Sequence, residues 1–152
     1  MRNSIIALLL GTLLSCSDED SQVDAVRNDG SISSLNGTWK VISFEDHSSN
    51  TVELKSEENS RGLDIVVTFD DNKDPNGLSG MNTTNAFEGS FEYTGPRVFK
   101  IADYWTTQVA QPAWADMFNE AMADDHLTFE INSKALRIYY HGESKSVTLI
   151  RD

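Results

Sequence analysis

Residues 112–122 read PAWADMFNEAM. Trp114, Met117, Phe118, Ala121 and Met122 recur at i, i+3, i+4, i+7 and i+8, the spacing of one helical face. Asp116, Asn119 and Glu120 take the other side. Pro112 suits a first helical position, and Asp124-Asp125 ends the run. A helix with a single apolar stripe has to bury it. The segments on either side read as strands, so the natural partner is a sheet face.

Upstream, Trp39, Val41 and, after Ser43, Phe44 predict a first strand over Thr38 to Glu45. TVELK predicts a short second one, and Ser56 to Gly62 reads as a loop. LDIVVTF is β-branched and apolar and is ended by DDNKDPNG, whose Asp, Asn, Pro and Gly residues favour a turn. AFEGSFEY places Phe87, Gly89, Phe91 and Tyr93 on one face at period 2, and RVFKIADY returns after Gly95-Pro96. Downstream, HLTFEI, ALRIYYH and SVTLIR are joined at Asn132 and Gly142. The expected fold is α+β: a curled antiparallel β-sheet, a partly open barrel, of about eight strands packed on one α-helix.

The N-terminus predicts an address. Arg2 is followed by an apolar run from Ile5 to Leu14, long enough for a signal peptide and too short to span a bilayer. Leu13-Leu14-Ser15-Cys16 resembles the lipobox of bacterial lipoproteins. That resemblance implies cleavage before Cys16 and a covalent lipid on its thiol, the nucleophile this chemistry needs. Cys16 is the only cysteine, so it has no partner for an intrachain disulfide. The acidic run after it, Ser17 to Asp20, resembles the export signal of Bacteroidetes surface lipoproteins. The expected organisation is a signal peptide over 1–15, an acidic flexible tether over 16–34 and one domain over 35–152. The expected location is the outer membrane, lipid-anchored and exposed at the cell surface.

The net charge of −12 disfavours nucleic acid, which requires basic surface. It also disfavours electrostatic docking on anionic lipid.

Order of motifs supplies a family resemblance. LNGTWKVISFE, GLSGMNTTNAFEGSFEY, the helix PAWADMFNEAM and the closing ALRIYYHGESKSVTLIR resemble the META domain, the family of heat-inducible HslJ-like proteins. Matching positions are Leu35, Gly37, Trp39, Gly77, Gly80, Asn82, Gly89, Phe118, Leu136 and Leu149. Many members have Gly-Cys-Asn and a second cysteine before the helix. Here the first is Met81, and the second is missing near Ala110 or Gln111, so no disulfide-dependent property carries over. The resemblance implies a fold and a role in envelope or stress physiology, without catalytic residues. A rival resemblance is the lipocalin-like barrel, through Gly37-Thr38-Trp39 and Ala102-Asp103-Tyr104. It implies a small-ligand binder, but lipocalins place their helix after the last barrel strands.

Candidate chemistry is sparse. Asp70, Asn72, Asp74 and Asn76 offer hard oxygens at alternate positions, which suits Ca²⁺. The sixth and twelfth positions of an EF-hand are here Pro75 and Met81, so a polar turn is the favoured reading. GLSGMNTTNAF lacks the lysine of a phosphate loop. Its glycines are expected to serve positive φ or close packing, and Asn82 to hold a turn. His47, His126 and His141 lack metal-ligand spacing and are expected to be exposed at strand ends. The acidic pairs Glu57-Glu58, Asp70-Asp71 and Asp124-Asp125 are expected to be solvated charges. Tyr104 and Trp105 flank the helix start. Being adjacent, one of them should face outward, and the pair is the expected contact site. No nucleophile, base and orienter assemble. The expectation is a non-catalytic interaction module or accessory subunit of an envelope complex, with no cofactor beyond the lipid on Cys16. A small-ligand or metal-ion binder is the alternative.

Overall fold

The computed structural model describes residues 33–152. The signal segment, Cys16 and most of the expected tether lie outside the described residues. Nine strands run in chain order: β1 (Gly37–Asp46), β2 (Thr51–Leu54), β3 (Ile65–Asp70), β4 (Asn76–Asn82), β5 (Asn85–Gly95), β6 (Val98–Thr106), β7 (Leu127–Ile131), β8 (Ala135–Tyr140) and β9 (Lys145–Arg151). Two helices interrupt them, α1 (Glu57–Ser60) and α2 (Ala113–Met122). All pairings are antiparallel, in the order β2-β1-β3-β4-β5-β6-β7-β8-β9. β1 also pairs with β9, from Trp39–Arg151 to Asp46–Lys145. That closes a ring of eight strands, with β2 as an extra strand beside the second half of β1.

Three expectations need correction. The sheet is closed rather than partly open, because the last strand returns to the first. The strand missed by pattern is β4: its inward positions are Leu78, Gly80 and Asn82, too weak a hydrophobic alternation to register. Finally, α1 forms where a loop was expected. The Ser56 hydroxyl accepts from the Asn59 N–H at 3.2 Å, and the Asn59 side chain accepts from the Ser56 N–H at 2.8 Å. This reciprocal cap satisfies donors that a four-residue helix cannot.

The interior is packed with rings. Trp39, Phe69, Phe91 and Phe99 have no solvent exposure, and Phe87 and Phe129 almost none. Phe69 meets Phe91 edge-on with centroids 5.3 Å apart, and Phe99 meets Phe129 at 5.8 Å. Such pairs add about 1 kcal/mol each beyond burial. A bulge between Val41 and Ser43 shifts the register of β1 on β9 and brings Phe44 inward.

The two barrel ends are closed differently. Strand connectivity puts the ends of β1, β4, β6 and β8 at one mouth, and α2 lies across it. Trp114, Ala115, Phe118 and Ala121 are fully buried there. Trp114 packs on Phe44 with centroids 4.8 Å apart and Phe118 on Phe87 at 5.7 Å. The stripe read from the sequence is therefore the buried one, with Ala115 added and Met117 only half-buried. Pro112 is the residue before the helix rather than its first. β7 meets β6 only at Val98–Thr128 and Phe99–Leu127. At the other mouth Leu35 is fully buried. Its N–H donates to the Tyr93 hydroxyl at 2.7 Å, and its carbonyl accepts from the Trp39 indole at 2.9 Å.

Candidate functional site

Tyr104 and Trp105 separate as adjacent strand residues must. Tyr104 turns inward and donates its hydroxyl to the Asn119 side-chain oxygen of α2 at 3.2 Å. Burial pushes its pKa up to about 12. It packs against Phe87 with centroids 5.6 Å apart. Trp105 turns outward and is 59% exposed. The two residues do not share a surface, and only Trp105 is available to a partner.

The proposed calcium positions are not assembled as ligands. The Asp70 carboxylate accepts from the Asn72 backbone N–H at 3.1 Å and lies 3.7 Å from the Lys73 ammonium. Asn76 begins β4, and its amide donates to the Phe91 carbonyl at 3.3 Å. Asn72 and Asp74 are exposed in the turn. Among the described residues no group of three histidine, cysteine or acidic side chains is placed to hold a metal ion. The adjacent Asp71 works structurally. It accepts from the Ser34 hydroxyl at 2.6 Å and the Tyr93 hydroxyl at 3.0 Å.

The histidines are exposed. His141 Nε2 lies 3.0 Å from Glu120 of α2, and Lys145 reaches the same carboxylate at 2.6 Å. Lys145, with His141 in support, holds Glu120 below its usual range, against desolvation. This cluster pins the helix to the ends of β8 and β9. Gly77 and Gly80 do not adopt positive φ. Gly80 serves close packing instead. Asn82 serves the helix rather than a turn, donating to the Ala115 carbonyl at 3.1 Å and the Asn119 side chain at 2.7 Å.

What the register brings together is a groove on the outer face of β4, β5 and β6. Ser79 lies opposite Glu88, and Glu88 opposite Trp105. In the next row Gly77 lies opposite Ser90, and Ser90 opposite Asp103. Gly77, Ser79 and Ser90 form a low floor, and Trp105 stands at one wall. Lys73 and Pro75 of the turn stand at the other, around a volume of about 550 Å³. The Ser90 hydroxyl donates to Asp103 at 3.1 Å, which fixes that carboxylate. The Glu88 side chain makes no hydrogen bond or ion pair with another described residue. Glu88 escaped the sequence reading, and Asp103 entered it only within the lipocalin-like Ala102-Asp103-Tyr104, although period 2 places Glu88 and Ser90 opposite the Phe87 face. Their meeting with Trp105 depends on cross-strand register, which local pattern does not encode.

No family model and no curated protein matches this chain. Two solved structures share its fold. A protein from Burkholderia xenovorans, determined by NMR, superposes with a TM-score of 0.60 at 14% identity, covering 77% of this chain and 82% of its own. A DUF4847 family protein from Bacteroides vulgatus superposes with a TM-score of 0.55 at 18% identity, covering 77% of this chain and 93% of its own. At such identities the likeness is one of fold.

Proposed function

We propose that this chain is a lipid-anchored envelope protein of META-like type, held in the outer membrane through Cys16 and exposed at the cell surface. It works there as a non-catalytic binding module or accessory subunit of an envelope complex. The observation that carries the binding role is the filled barrel. Trp39, Phe69, Phe91 and Phe99 occupy the space in which a lipocalin-like protein would hold a ligand. Recognition then belongs on the outer surface, and the groove beside Trp105 is the surface with an exposed anchor residue. The anchor rests on the order of Arg2, the apolar run and the lipobox.

The test is metabolic labelling with a palmitate analogue, followed by fractionation and gentle detergent pull-down from the chain's own membranes. The wild type should take up label and stay with the membrane. Cys16→Ser should lose both properties. A stoichiometric envelope protein should accompany the wild type and be lost from Trp105→Ala. Label retained by Cys16→Ser removes the anchor. A clean chain carrying a bound small molecule removes the complex-subunit role.

A further inference from the structure

Trp39 and Trp114 are fully buried, whereas Trp105 is 59% exposed. Its cross-strand neighbour is Glu88, and Asp103 lies one row away on the same face. Between these groups the floor is glycine and serine, so nothing bulky screens the indole from the carboxylates. Among the described residues Lys73 is the one cation lining the groove. Its side chain lies over Gly77 at the β4 edge, away from the Glu88–Trp105 row, and its ammonium is 3.7 Å from Asp70. The groove therefore presents an aromatic face and two carboxylates. That is the electrostatic complement of an ammonium or a guanidinium.

We propose that this groove binds a cationic side chain, an arginine or lysine presented on an extended segment of a partner protein. The guanidinium or ammonium stacks on Trp105 between Glu88 and Asp103. The assignment rests on the binding-module reading above and names the chemistry of its partner. Two features favour it. The Ser90 hydroxyl holds Asp103 in place before any ligand arrives, so little ordering is needed on binding. The net charge of −12 steers a basic segment inward and repels acidic ones. A neutral glycan also stacks on an indole and its hydroxyls donate to carboxylates. It carries no charge for them to neutralise, however, and its binding ignores salt, so salt dependence separates the two ligands.

The experiment is calorimetric titration of the full-length chain in detergent micelles with a short peptide of alternating glycine and arginine. Controls are the same peptide with glutamine for arginine, and a neutral oligosaccharide. The arginine peptide should bind, more weakly as salt rises, and the controls should not. Glu88→Gln combined with Asp103→Asn should weaken binding about tenfold, and Trp105→Ala by a similar factor. The thermal midpoint should hold, since these side chains lie outside the core. Equal binding by the variants, equal binding by the glutamine peptide, or binding of the oligosaccharide alone overturns the assignment. If the membrane pull-down still returns a stoichiometric protein while the arginine peptide fails, the groove chemistry falls and the module reading stands. If the peptide binds and the pull-down is empty, the groove stands and the complex-subunit role falls.

Discussion

The side-chain amide of Asn82, at the end of β4, donates to the Asn119 side-chain oxygen of α2 at 2.7 Å. The same nitrogen reaches the Ala115 carbonyl at 3.1 Å, and the Tyr104 hydroxyl donates to the same Asn119 oxygen at 3.2 Å. Both partners of Asn82 are acceptors, so the amide must present its nitrogen. The helix has no side-chain cap at its start, so the barrel rim holds it instead. Asn82→Ala should cost about 1 kcal/mol by removing two hydrogen bonds to the helix, and Tyr104→Phe about 1 kcal/mol. Urea midpoints measure both. An unchanged midpoint for Asn82→Ala would mean that Trp114 and Phe118 hold the helix unaided.

Two glycines separate steric from conformational cost. A Cβ on Gly80 would sit 2.0 Å from the Val66 carbonyl oxygen and 2.8 Å from the Phe87 ring. The backbone of β3 cannot give way, so Gly80→Ala should cost about 3 kcal/mol or more. At Gly142 nothing lies within 4 Å, and the only obstacle is a φ of +64°. Gly142→Ala should cost about 1 kcal/mol. Thermal melts of the two variants should differ clearly. Equal melts would show that β4 is free to shift off β3.

All four tyrosines, Tyr93, Tyr104, Tyr139 and Tyr140, are held above the ordinary phenol range, with burial as the largest cause in each. Tyr104 lies at about 12. In the unfolded chain these groups ionise near 10. A raised folded pKa contributes stability that is complete below the unfolded value and is lost as pH rises through the folded one. The protein should therefore weaken from about pH 10 upward. Tyrosinate absorbance should appear together with loss of near-ultraviolet dichroism. Tyr104 titrating near 10 in the folded chain would contradict the burial described for it above.

Local patterns with a clean period were legible. The stripe of α2 and the Phe87, Phe91 and Tyr93 alternation of β5 both read correctly, because burial on one face imposes that period. β4 was not legible, because of its inward positions Gly80 serves clearance from the Val66 carbonyl and Asn82 bonds the helix, which leaves Leu78 as the one apolar residue facing in. Closure was not legible either: β1 meets β9 across almost the whole domain, and neither strand carries a local mark of its partner. The groove shows both behaviours. Trp105 stood out by residue type, paired with a Tyr104 that in fact faces the helix. Glu88 and Asp103 became neighbours of Trp105 only through the registers of β5 and β6.

Leu35 plugs the barrel mouth opposite α2 from outside the strands. It is fully buried, its N–H is bound by Tyr93, and its carbonyl by the indole of Trp39. Ser34 extends the same closure through Asp71, and the Ser33 N–H donates to the Pro96 carbonyl at 3.1 Å. These residues form the floor of the barrel although they precede β1. Leu35→Ala should remove that plug at a cost of about 3 kcal/mol, since the strand ends around it are pinned and cannot collapse into the gap. Chains beginning at Ser33 and at Gly37 extend the test. The first should keep the closure, whereas the second should lose it, with Trp39 more accessible to a fluorescence quencher. Indistinguishable melting and quenching of the two chains would place the domain boundary at Gly37 and reduce Leu35 to a surface contact.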